Sequence, residues 1–176
     1  MSQPLILTLR LDVASEKLLT SLRTRFFPSH RNYLSAHITL FHVLPAVHLP
    51  LYNTYLTDIA SREHDFTIGL KSPFLLGKKG VAINIASFKL RNLHEEILNG
   101  LQKNDVELTE QDKTRLRPHV TVQNKVGEEE ARKTMDVLSA EWVEKAGKAE
   151  GFSLWRYEIG GEWTFLRDFD FKRISS

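Results

Sequence analysis

A chain of 176 residues has the length of one domain, enough to bury a core that needs no staples. It has no cysteine, which excludes disulfides, thiolate catalysis and thiolate zinc sites. A formal net charge of only +2 disfavours a protein that grips a long duplex by its phosphates. That charge fits a small anionic substrate, or a nucleic-acid end, met by a local positive patch. No apolar run approaches the ~20 residues of a membrane span. The amino terminus lacks a basic leader and a small-residue cleavage site. The expected compartment is the cytoplasm, with no membrane partner, and a monomer is expected.

Pro4 to Leu11 is rich in strand formers and predicts a first strand. Ser15 opens a helical pattern of Leu18, Leu19, Leu22 and Phe26, which Pro28 stops. Ala36 to Leu44 predicts a strand closed by Pro45. A helix carrying Leu51, Tyr55, Leu56 and Ile59 begins near Pro50. Phe66–Leu70 and Val81–Ile85 predict a hairpin through Gly77-Lys78-Lys79-Gly80. Leu90, Leu93, Ile97, Leu98 and Leu101 give an amphipathic helix. Asn104 to Thr114 is a polar loop, and Arg117 to Lys125 predicts another strand. Gly127 precedes a helix whose first residues are Glu128, Glu129 and Glu130, acids well placed at a positive helix end. Phe152–Tyr157 and Trp163–Phe169 predict a hairpin around Gly160-Gly161.

The order of elements repeats. Each half holds a strand, a helix, a strand carrying His-x-Thr, a helix and a return strand. We read residues 1–176 as a single bilobal domain, its lobes built from duplicated units at roughly 4–70 and 81–169. Such a duplication predicts an α+β fold with a pseudo-twofold axis and a cleft between the lobes.

Side chains alternate along a strand. His37, Thr39 and Phe41 therefore share one face, and Ile38 and Leu40 the other. Arg117, His119, Thr121, Gln123 and Lys125 share a polar face, while Pro118, Val120 and Val122 point into the core. Facing lobes bring two imidazoles and two hydroxyls to one cleft. That set suits phosphodiester cleavage. One neutral ring takes a proton from attacking water and one protonated ring gives a proton to the leaving oxygen. The hydroxyls of Thr39 and Thr121 donate to the non-bridging oxygens. The scheme requires no metal and no cofactor. These residues alone leave open which histidine plays which part.

HITL at 37–40 and HVTV at 119–122 resemble the paired signatures of the 2H phosphoesterases. The context RPHVTVQNK resembles the second motif of the 2′-5′ RNA ligase-like branch. The resemblance implies a bilobal α+β fold, with antiparallel-rich sheets forming a central cleft and helices outside. It implies a 2′,3′-cyclic phosphodiesterase that opens the ring to a 2′-phosphate, acting on a small phosphodiester or an RNA cyclic phosphate end. It also implies His37 as proton donor and His119 as proton acceptor. Two alternatives stand beside it: a module that binds a nucleotide or RNA end without turnover, and 2′-5′ RNA ligation.

Thr39, Thr121, Phe41, Arg117, Gln123 and Lys125 are the candidate substrate-binding residues. Lys78 and Lys79 read as a solvated hairpin tip. His42 reads as a core or rim residue, and His30, His48, His64 and His94 as surface ones. Trp155, Tyr157 and Trp163 read as core or cross-strand pairs.

Overall fold

Asp12, not Ser15, opens the first helix: its carboxylate accepts a hydrogen bond from the Ser15 backbone N–H at 3.1 Å. The computed structural model describes residues 2–174. In chain order they form β1 (Leu5–Leu11), α1 (Val13–Phe26), β2 (Ile38–Leu44), α2 (Leu49–Arg62), β3 (Phe66–Leu76), β4 (Gly80–Ala86) and α3 (Phe88–Lys103). Then come α4 (Glu110–Lys113), β5 (His119–Gln123), α5 (Glu128–Glu141), β6 (Lys145–Tyr157) and β7 (Trp163–Asp170). No helix among them is long and apolar enough to cross a membrane.

All strand pairs are antiparallel and join one seven-stranded sheet in the order β2-β1-β6-β3-β4-β5, with β7 on β6. The fold is α+β. β6 links two strand groups, because its first residues pair with β3 while its later ones lie between β1 and β7. The strands therefore do not segregate at 4–70 and 81–169: β6 pairs with β1 and β3 across that division. The start of β6, Lys145 to Gly151, is poor in strand formers, and its composition predicts no strand. Gly147 explains part of the difference. A Cβ there would meet the Ser15 hydroxyl, so glycine lets the start of α1 approach the sheet.

β3 runs past its expected end at Leu70. Pro73 normally stops a strand, but the β3–β4 register shifts between Leu70 and Pro73 and absorbs the missing donor. The core-facing side of α1 carries Leu19, with Leu22 and Phe26 partly buried against the core, and it also buries the polar Ser15 and Arg23. His94, expected on the surface, is buried and stacks on Phe41 with centroids 4.6 Å apart.

The segment 104–114, expected as a loop, contains α4, capped by Thr109. Its Asp112 is buried and accepts hydrogen bonds from the backbone N–H groups of His42 and Val43, both at 2.8 Å. Burial pushes this carboxyl up. The His42 ring and those two N–H groups outweigh burial and hold it below the ordinary aspartate value. Stability from such a group is full above the unfolded pKa and is lost as pH falls through the folded one. Asp112→Asn is expected to lower the melting temperature at neutral pH. It should also flatten the loss of stability on acidification below about pH 4. A calorimetric series with unchanged acid dependence counts against this role.

Candidate active site

The two His-x-Thr strands occupy the two ends of the sheet order, and in the folded chain β2 and β5 touch. The motifs share local geometry. His37 Nδ1 lies 2.8 Å from the Ser35 carbonyl oxygen, and His119 Nδ1 lies 2.8 Å from the Arg117 carbonyl oxygen. A carbonyl only accepts, so each Nδ1 carries the proton and donates it. Nε2 of each ring is then the nitrogen open to proton exchange. Thr39 and Thr121 are half-buried, and among the described residues neither hydroxyl has a protein partner.

A second shared feature corrects two expectations. Thr8 pairs with Thr39 and Leu7 with Phe41, so Leu40 is an extra residue in β2. Ala82 pairs with Thr121 and Val81 with Gln123, so Val122 is an extra residue in β5. Each bulge follows the motif threonine and reverses the alternation beyond it. Phe41 therefore leaves the cleft face and is 0% exposed, against His94. Gln123 is also buried, its side-chain amide donating to the Thr134 hydroxyl at 2.8 Å. Neither is placed to touch a ligand in the cleft.

Arg117 and Lys125 are exposed. The Arg117 guanidinium lies 4.2 Å from the centroid of Phe74, which in turn sits edge-on to the His119 ring at 6.0 Å. Lys125 has φ +62° and lines a cavity of about 620 Å³. That cavity joins the motifs, since its wall includes His37 and Thr121. It also includes Arg23, His30, Arg31, Asn124, Tyr157 and Trp163, and no carboxylate among the described residues. Trp163 packs on His37 with centroids 4.6 Å apart, so it belongs to the site rather than to a structural pair alone. Lys78 and Lys79 are exposed at the hairpin tip, as expected.

Arg23, which no motif singles out, ties the two motifs together. From α1 its guanidinium donates to the Leu34 carbonyl at 3.1 Å, to Asn32 Oδ1 at 3.3 Å and to the Thr121 carbonyl at 2.8 Å. It is 3% exposed, and burial pulls its pKa down to about 10, which leaves it charged at neutral pH. Among the described residues it has no carboxylate partner. Its signal in the sequence is a cation four residues after Leu19, at a core-facing helical position.

Desolvation lowers the pKa of His37, to about 4, against the opposing pull of the Ser35 carbonyl; the charges of Arg23, His119 and His42 lower it further. Part of the ring still faces the open cleft, where water screens this shift.

The sequence matches the 2′-5′ RNA ligase superfamily over residues 11–161. No curated protein matches it. Among solved structures it is similar to TT0787 of Thermus thermophilus, with TM-score 0.71 and 18% identity, covering 98% of this chain and 100% of that one. It is also similar to E. coli LigT complexed with 3′-AMP, with TM-score 0.64 and 14% identity, covering 97% and 99%. A structure described as a phosphoesterase gives TM-score 0.56 and 15% identity, covering 98% and 99%.

Proposed function

The chain belongs to the 2′-5′ RNA ligase superfamily, and from that membership we propose that it is a phosphodiesterase that opens 2′,3′-cyclic phosphates to 2′-phosphates. The observation that carries this reading is the matched anchoring of His37 and His119 by backbone carbonyls, which leaves an Nε2 free in each motif. Water attacks phosphorus and one Nε2 takes its proton. The bond from phosphorus to the ribose 3′ oxygen breaks, and that oxygen receives a proton from the other ring. Thr39 and Thr121 hold the non-bridging oxygens.

The cleft's charge supports an anionic substrate. Among the described residues Arg23 is buried without a carboxylate partner, and it lines the same cavity as Arg31 and Lys125. The fold neighbour E. coli LigT is described in complexes with 3′-AMP, ATP, NADP+ and phosphate, ligands of the same anionic class.

The resemblance makes His37 the donor and His119 the acceptor. A donor must hold its proton near neutral pH, whereas desolvation in the free protein depresses His37. A bound phosphate adds the negative charge that brings such a ring back up. On this reading His37 becomes a competent acid only with substrate in place.

The test is product analysis on an RNA end bearing a 2′,3′-cyclic phosphate. We expect a 2′-phosphate and a free 3′ hydroxyl. A 3′-phosphate would reverse the assignment of the leaving oxygen. Nucleotide binding without turnover on several cyclic substrates would replace the enzyme by a binding module.

A further inference from the structure

A second cavity, of about 330 Å³, shares His37, Tyr33, Leu34 and Trp163 with the cationic one. Its lining differs in kind. Tyr33, Trp155, Trp163 and Phe165 supply four aromatic rings, and Glu16 and Asp168 supply two carboxylates. Tyr33 is 54% exposed and Phe165 51%, so both present open faces rather than core contacts. Trp155 and Phe165 pack edge-on at 5.4 Å, and the Trp155 N–H donates to the Thr8 hydroxyl at 2.9 Å, which fixes the rings. Arg10 on the same wall is already paired with Asp170 at 2.6 Å and with Glu150 at 3.7 Å. Among the described residues Asp168 accepts one hydrogen bond, from the Ser153 hydroxyl, through Oδ1. That leaves Asp168 Oδ2 open, and among the described residues Glu16 has no side-chain partner.

We propose that this cavity holds the base of the nucleotide whose phosphate sits at His37, and that it selects bases presenting N–H donors, guanine first. The inference rests on the phosphodiesterase reading for its placement beside the phosphate. Its volume is of the size that takes a small ligand. Every base has a π face, so aromatic rings alone bind all four. Carboxylates only accept, so they sort the four by donors. Guanine offers an adjacent N1–H and N2–H that match a carboxylate in two parallel bonds. Adenine and cytosine offer one amino group each. Uracil offers a single N–H flanked by two carbonyl oxygens, which a carboxylate repels.

Titration calorimetry with guanosine 2′-monophosphate and uridine 2′-monophosphate reads this preference without requiring turnover. The guanosine nucleotide is expected to bind at least about tenfold more tightly, the scale of one charge-assisted hydrogen bond. The double variant Glu16→Gln with Asp168→Asn is expected to bring the ratio towards one. Equal affinities in the unmodified protein, an unmoved ratio in the variant, or no binding of either nucleotide would overturn the inference. Turnover of the 2′,3′-cyclic forms of GMP and UMP separates it from the reading it rests on. A guanosine preference in binding without hydrolysis keeps the base pocket and removes the phosphodiesterase. Hydrolysis of both at equal kcat/KM removes the base pocket and keeps the phosphodiesterase.

Discussion

His37→Ala and His119→Ala are each expected to lower kcat on a 2′,3′-cyclic phosphate by about 10²–10⁴-fold, the usual contribution of one proton-transfer group. Combining them should cost far less than the product of the two losses, because residues acting as a unit are not additive. Activity surviving in the double variant would remove the two-histidine mechanism. The pH dependence then tells the rings apart. A donor governs the alkaline limb of the profile and an acceptor the acidic limb. kcat/KM reports the free enzyme and kcat the complex. His37 is depressed in the free protein, first by desolvation and then by the charges of Arg23, His119 and His42. If His37 is the donor, the alkaline limb of kcat/KM lies at lower pH than that of kcat, and His37→Ala removes that limb. If His37 is the acceptor, its low value sets the acidic limb of kcat/KM instead. The profiles therefore decide between the roles.

The motifs and most elements are legible in the sequence because they depend on local chemistry. Alternation places Ile38, Val120 and Val122 in the core, and all three are buried there. The bulges are not legible. Leu40 and Val122 are ordinary strand residues, and only the register against β1 and β4 shows each as the extra one. One inserted residue turns Phe41 and Gln123 from the cleft to the interior, since side-chain direction has a period of two. The same arithmetic carries to His42, next along β2, which lies half-exposed beside Asp112 at 3.1 Å. Pairings between distant segments are equally hidden. Nothing in Lys145–Gly151 announces a strand, and its ladders come from what lies on either side. Trp163 reads as a cross-strand aromatic, and it does pair with Tyr157 in register. Its contact with His37 depends on how β7 returns along β6, which a single sequence does not display.

Arg23→Met is expected to lower both stability and activity, and the reasons can be separated. Methionine fills similar space without donors, so the Leu34 and Thr121 carbonyls lose their hydrogen bonds. Each part-buried acceptor left without a partner costs about 1–3 kcal/mol. Removing a buried charge that faces no carboxylate offsets some of that. The net loss should be roughly 2–4 kcal/mol, visible in thermal or urea unfolding. Activity falls for a different reason. Arg23 holds the segment before His37 against the carbonyl of Thr121, so its loss lets the motifs drift apart, and small misplacements of reacting groups are costly. It also removes a positive charge that lowers His37. The imidazole of His37, followed by NMR, should then titrate at higher pH in Arg23→Met than in the unmodified protein. Arg23→Lys discriminates further. Lysine keeps the charge but lacks the planar fork that reaches both carbonyls. It should leave His37 low while losing much of the stability and rate. A variant in which His37 keeps its titration, stability is unchanged and kcat is intact would show that Arg23 neither clamps the motifs nor tunes the ring.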